Sequence, residues 1–399
     1  MISNRSLITG AAFLSLGTNG LTFTFVGTSL PAIRQYLDIS IDQAGHLMAM
    51  LQIGFTLFSL VGGILSDSFR CERILMLGCL LLALSSILFC TFPLLGLNLF
   101  VALVMGSGLG CILSGSNSLL IQLYPSRKGS ILNIHHVFFG LGSLVGPLLM
   151  GYLIAGGGGV QWRLGYLGEA LLLFLLAAVF FISRSEAPQL LSRSFLVKHM
   201  AELARDRQFR IILLVNSLTM GSQVALLLLG VTFLVETKEF PISLAGIGLS
   251  LYSVSMIIGR LLCSRLVFRV RHTTIIATLL WMQAASLLCA WQTTGWVAFG
   301  SLVLGGFSIS GIYPTSLALS GLFFPRVAGS ALGMLSTVSG FGSVVICWLT
   351  AYVAGLTDMK MGFTVIVLAC LSGLVLFQLN YRTLNRREDS PEFGMVLQQ

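Results

Sequence analysis

Long apolar stretches follow one another along the chain almost without interruption, and the polar residues between them are few. A helix that crosses a bilayer needs about 20 apolar residues at 1.5 Å rise, whereas a barrel strand needs only about 9–11. The stretches fall at 7–32, 44–66, 73–92, 97–122, 129–154 and 163–183, then at 209–235, 243–267, 272–292, 296–322, 328–353 and 362–381. All are too long for strands, and lipid admits only helices or closed barrels. The pattern predicts an all-α membrane protein of twelve transmembrane helices.

The breaks between spans suggest an organisation. The longest, Arg184 to Arg210, mixes Arg193, Lys198, Arg205 and Arg207 with Glu186, Glu202 and Asp206. It divides the chain into a first six-helix half (1–183), a linker (184–208), a second six-helix half (209–382) and a polar tail (383–399) with no regular structure expected. An internal repeat supports the division, because Tyr124–Val145 can be laid over Phe324–Val345 at an offset of 200 residues. Pro125, Gly129, Ser130, Leu132, Gly140, Gly142, Ser143 and Val145 then meet Pro325, Gly329, Ser330, Leu332, Gly340, Gly342, Ser343 and Val345. The repeat joins spans four and five to spans ten and eleven in the same orientation. Parallel six-helix halves are the architecture of alternating-access carriers.

Composition sharpens this picture. Hydrophobic residues make up 56% of the 399 and charged ones 9%, far from the roughly 25% charge of soluble domains. The net charge of +9 does not point to nucleic acid, because the basic residues are sorted by side. Only Arg34, Arg163, Lys238 and Lys360 fall on one side and Arg260 lies within a span; all the others occupy the termini and alternate loops. That asymmetry places both termini in the cytoplasm, and the short loops and tail suggest a bacterial chain, hence the inner membrane. The first span, after Arg5, is longer than a signal-peptide core and is expected to be retained. The eight cysteines have neither metal-ligand nor redox spacing and read as small apolar residues, so no metal is expected. No phosphate-binding glycine loop, nucleophile elbow or His-Glu-x-x-His pair is present, so neither catalysis nor a cofactor is expected.

After the second span comes Gly62-Gly63-Ile64-Leu65-Ser66-Asp67-Ser68-Phe69-Arg70-Cys71-Glu72-Arg73. It resembles the loop of the major facilitator superfamily, of the form Gly-x-Leu-x-Asp-Arg-x-Gly-Arg-Arg/Lys. Gly63, Leu65, Asp67 and Arg73 carry the match, while Ser68, Arg70, Cys71 and Glu72 depart from it. With the duplicated topology the resemblance covers nearly the whole chain, and it implies the twelve-helix facilitator fold. Gly63 is expected to let helices pack closely, and Asp67 and Arg73, with Arg127 in the loop before span five, to form a gating loop whose charges latch one conformation. A solvated loop whose charges merely follow topology is the competing reading.

The fifth span reads Asn133-Ile134-His135-His136-Val137-Phe138-Phe139-Gly140-Leu141-Gly142, after Tyr124-Pro125 and Arg127-Lys128-Gly129. This string is similar to the fucose/glucose permease branch of sugar–proton symporters, as are Ile312-Tyr313-Pro314-Thr315-Ser316 and Gly329–Gly333. The ending Gly142 to Gly146-Pro147 is similar to the antiporter motif of drug exporters, with Met150 where a second glycine is usual. The resemblance implies a secondary transporter of a small polar, sugar-like solute, driven by protons and acting as a monomer. A proton-linked drug or metabolite exporter is the alternative, and a transporter-like sensor is a third. Span one has no carboxylate, its polar centre being Thr18-Asn19-Gly20, so the coupling acid found there in part of that branch is missing.

Ionisable residues at membrane depth are functional by default. Glu169 in span six is the one carboxylate well inside an apolar run, and a carboxyl that gains and loses a proton there is a coupling candidate. Pairing with Arg163 or a hydroxyl in a structural role is the other reading. Neighbouring His135 and His136 point about 100° apart, so both cannot face one cavity. His136 is the candidate, for either proton relay or structural bonding. A polar solute needs amides and hydroxyls with aromatic walls. Asn19, Gln52, Asn117 and Asn133 in the first half, and Asn216, Gln223, Gln283 and Tyr313 in the second, are substrate-binding candidates. Phe23, Phe55, Phe138, Tyr252 and Trp281 are candidate walls, with interhelical bonding as the alternative role of the amides.

Overall fold

The computed structural model describes residues 4–124, 128–156, 161–183, 203–324 and 328–388, and the regular elements among them are all helical. Arg127, most of the expected linker and the residues after 388 lie outside the described residues. The first six helices are α1 (Asn4–Leu37), α2 (Ile41–Ser68), α3 (Cys71–Leu88), α4 (Leu95–Leu123), α5 (Lys128–Gly156) and α6 (Arg163–Ile182). Then follow α7 (Arg207–Glu236), α8 (Ile242–Leu266), α9 (His272–Gln292), α10 (Gly295–Ile309), α11 (Ile312–Phe323), α12 (Ala328–Leu356) and α13 (Met359–Glu388).

Among the described residues, 11 segments are long and apolar enough to cross a membrane, with Gly295–Phe323 counted once. The twelfth crossing is α1, whose 34 residues rise about 51 Å. Its centre is too rich in Thr and Asn to read as apolar, yet Thr18, Asn19, Thr22, Thr24, Thr28 and Ser29 are all buried, so lipid never meets them.

Prolines explain where the helices break and where they do not. Pro314 has no N–H to give the carbonyl of Ser310, and the tenth span divides there into α10 and α11. Pro147 likewise strips the carbonyl of Ser143 of its ladder partner, yet α5 runs on unbroken. Two serines of α8 supply donors there: Ser253 Oγ donates to Ser143 O at 3.2 Å and Ser250 Oγ to Leu144 O at 2.9 Å. At membrane depth a freed carbonyl has no water, so a neighbouring side chain must supply the donor.

The chain forms two compact units, Met1–Leu191 with Leu227–Ser253, and Ser192–Leu226 with Val254–Gln399. The ends of α7 and α8 nearest their connection therefore group with the first six helices. They are held there by the two serine bonds just described, the close approach of Gly246 to Pro147 O, and an ion pair between Arg34 and Glu236, among other contacts. Within the first unit α2 lies on α4, α1 on α5, and α3 between α4 and α6. Within the second, α9 packs on α10 and α13, and α12 on α13.

The repeat seen in the sequence is also a repeat of contacts. A Cβ added to Gly142 would meet the backbone of Gly17, and one added to Gly342 would meet that of Ser217, 200 residues further along. Likewise the α2–α4 crossing at Ser59 and Gly110 returns at Gly259 and Ser310.

The last helix extends past the boundary at which a structureless tail was expected. Its final turn is held by polar bonds in the second unit. Arg387 pairs with Asp206 at 3.0 Å and lies over the rings of Phe323 and Phe324. Glu388 accepts from the backbone N–H groups of His272 (2.8 Å) and Thr273 (3.1 Å), the first of α9. A carboxylate at a helix start satisfies orphan donors and faces the positive end of the dipole, which orders this segment despite its polarity.

Candidate functional site

The centre of α1 is enclosed on several sides, and each side has its own chemistry. Asn19 and Phe23, one turn apart, face α4 and α2: Asn19 Nδ2 donates to Leu109 O at 2.9 Å, and the Phe23 ring meets Phe55 edge-on at 5.4 Å. Phe139 of α5 closes on Phe23 at 6.3 Å. Gln52 and Thr56 flank Phe55 on α2, both buried. Asn19 Oδ1, Gln52 Nε2 and Thr56 Oγ1 have no hydrogen-bond partner among the described residues. An unpaired buried amide costs about 1–3 kcal/mol, so these unpaired groups, on the two helices that carry Phe23 and Phe55, are candidates to bind a polar ligand. Asn19, Phe23, Gln52 and Phe55 were all expected from the sequence; Thr56 was not, since nothing distinguishes it there from any other helical threonine.

Under a quarter of a turn round α1, at Thr22, lies a second arrangement. Glu169 of α6 is 2% exposed and held by two hydroxyls: Thr22 Oγ1 stands 2.6 Å from its Oε1, and Ser86 of α3 donates to Oε2 at 3.2 Å. Arg163 does not reach it, for its guanidinium donates to Cys90 O and stacks over Tyr36 at 4.2 Å. Tyr166, one turn before Glu169, bonds Ser29 at 3.0 Å and packs on Phe25 and Phe89. The carboxyl is thus buried with hydroxyl partners, and among the described residues no cation pairs with it.

Of the paired histidines it is His135, not the expected His136, that is enclosed. His135 is fully buried, with Nε2 at 3.2 Å from Ala12 O and Nδ1 at 3.2 Å from Asn117 Oδ1. This ties α5 to α1 and α4 and gives Asn117 a bonding role. His136 is half-buried, its ring 5.6 Å from that of His135. Phe138 packs on Phe13 at 5.1 Å. Tyr252 is fully buried in the same unit. The side chain of Asn133 lies outside the described residues.

In the second unit the expected residues take varied positions. Asn216 donates to Ile212 O at 2.8 Å and its Oδ1 has no partner among the described residues; Gln223 reaches Met256 Sδ at 3.4 Å; the hydroxyls of Tyr313 and Ser336 are hydrogen-bonded at 2.7 Å. Gln283 is fully buried, and among the described residues neither of its amide atoms has a partner. Trp281 is 57% exposed, on the far side of α9 from buried Gln283, where an aromatic meets lipid.

The gating loop differs from expectation in one respect. A Cβ on Gly63 would meet nothing within 4 Å, whereas one on Gly62 would strike Ser114 and lie 3.3 Å from Cys111 Cα. Close approach is therefore served by Gly62, whose side of α2 faces α4. Arg73 is exposed, and among the described residues Arg70 forms an ion pair with buried Glu72 at 3.5 Å. The side chain of Asp67 and all of Arg127 lie outside the described residues.

The profile of the Major Facilitator Superfamily matches residues 12–273 and 213–395, nearly the whole chain. The chain belongs to the Major Facilitator Superfamily. This facilitator is 21% identical over 405 residues to the inner membrane transport protein YdiN of Escherichia coli (strain K12), covering 96% of this chain and 92% of that protein. Its fold is similar to that of a D-xylose–proton symporter, with a TM-score of 0.79 at 16% identity over 95% of this chain and 97% of the other. It is also similar to the E. coli fucose–proton symporter, with a TM-score of 0.66 at 18% identity over 95% and 98% of the two chains. Membership makes this facilitator a multi-pass membrane transporter and not an enzyme.

Proposed function

We propose that this facilitator takes a small polar, sugar-like solute across the cytoplasmic membrane by alternating access, coupled to protons and acting as a monomer. The observation that carries the reading lies around α1: unpaired amide and hydroxyl groups on α1 and α2, the helices that meet at Phe23 and Phe55, and the buried carboxyl of Glu169 bonded to Thr22 of the same α1. A carboxyl held only by hydroxyls is bonded equally well with or without a proton, as a carrier of protons requires. The sugar–proton symporters with the same fold support the choice of solute class, and the parallel repeat supports rocking of the two sequence halves. Both termini are assigned to the cytoplasm.

Reconstituted protein tests this. Uptake of labelled pentoses and hexoses should be competed by unlabelled sugar and should require an inward proton gradient; drug efflux without sugar uptake would favour the exporter reading. Glu169→Gln should abolish accumulation against a gradient while sugar exchange continues, and unchanged accumulation removes Glu169 from the mechanism. For orientation, exposed Lys360 should react with an impermeant amine reagent added outside intact cells; labelling only after permeabilisation reverses the assignment.

A further inference from the structure

Thr22 is bonded twice with one proton to give. Its Oγ1 lies 2.9 Å from Thr18 O, four residues back on α1, and 2.6 Å from Glu169 Oε1. A hydroxyl has a single O–H, so it cannot donate to both oxygens at once. Two arrangements satisfy every group. With Glu169 protonated, its Oε1–H donates to Thr22 Oγ1 and Thr22 donates to Thr18 O. With Glu169 ionised, Thr22 turns its proton to the carboxylate and Thr18 O keeps only its helical bond. Ser86 donates to Oε2 in both.

We infer that Thr22 is the positioning residue that couples the proton on Glu169 to the turn of α1 that holds Asn19. Back-bonding of a threonine to the i−4 carbonyl bends a helix locally, so the choice made by Thr22 changes the turn Thr18-Asn19-Gly20. Asn19, one turn before Phe23, leaves its Oδ1 unpaired, and Gly20 is where α1 comes close to Phe139 and Ser143 of α5. The proton and the solute thus communicate through the backbone of α1 without touching. The neighbouring titratable groups do not intervene: Tyr166 is bonded to Ser29, and Arg163 to the carbonyl of Cys90. The inference rests on Glu169 being the proton site and adds the path by which its charge is felt.

Infrared difference spectra of the purified protein in lipid, taken across a pH titration with threonine carbonyls ¹³C-labelled, test it without knowledge of the solute. Wild-type protein should show a protonated-carboxyl band that Glu169→Gln removes, together with a shift of a labelled threonine carbonyl over the same pH range. Thr22→Val should keep the carboxyl band and lose the carbonyl shift, and Thr22→Ser should restore it. Ser86→Ala should move the carboxyl titration but keep the carbonyl shift, which shows that the loss in Thr22→Val is specific. A carbonyl shift that persists in Thr22→Val overturns the inference alone. A carboxyl titration indifferent to Glu169→Gln overturns the reading of Glu169 beneath it.

Discussion

Gly142 and Gly168 carry the same residue in the same kind of helix, and their surroundings give them opposite roles. A side chain on Gly142 would be driven into the backbone of α1 at Gly17, whereas one on Gly168 would meet nothing within 4 Å. Gly142→Val should therefore lower the stability of the detergent-solubilised protein by about 3 kcal/mol, the upper range for overpacking. Gly168→Ala should leave it unchanged or raise it by up to about 1 kcal/mol, since alanine is the better helix former. Thermal midpoints compare the two, and equal effects would dissociate the α1–α5 crossing from Gly142. At this scale the sequence singles out residues whose type is costly in lipid, and Glu169, Asn19 and Gln52 stand out for that reason and are buried in the structure. Thr22, Thr56 and Ser86 do not stand out, because a hydroxyl can always bond its own helix and so leaves no mark on the pattern. His135 and His136 could not be told apart, since the direction a histidine faces is set by its neighbours.

Helices in lipid must settle their own backbone bonds, and α5 does so with borrowed donors. Ser250 and Ser253 each contribute a hydroxyl to the stretch that Pro147 disturbs. Replacing both with alanine should cost about 1–2 kcal/mol in thermal denaturation, at about 1 kcal/mol per bond. Adding Pro147→Ala should recover part of that loss, because an N–H at 147 can again reach Ser143 O. Strict additivity of the three substitutions would show that the serines and the proline are unrelated. Span limits were readable to within a few residues because hydrophobicity and length set them. The division of the tenth span at Pro314 and the extension of α13 to Glu388 were not. The first depends on whether a freed carbonyl finds a donor, and the second on whether Arg387 and Glu388 find partners.

For the molecule as a whole, the ion pair of Arg34 with Glu236 joins the end of α1 to the end of α7 inside the first compact unit. If transport requires these ends to part, cysteines placed by Arg34→Cys and Glu236→Cys should stop labelled-sugar uptake when cross-linked and release it on reduction. Full flux with the pair completely joined would show that the two ends travel together throughout. The amino-acid sequence by itself determined the twelve crossings, the parallel duplication and the facilitator family, because lipid punishes any other arrangement of so many long apolar runs and because the repeat survives as matched glycines and prolines. Only the tertiary structure decided which polar residues face one another. Helical periodicity places a side chain on a flank but not opposite a partner, so the encounter of Thr22, Ser86 and Glu169, drawn from α1, α3 and α6, arises solely from how those helices pack.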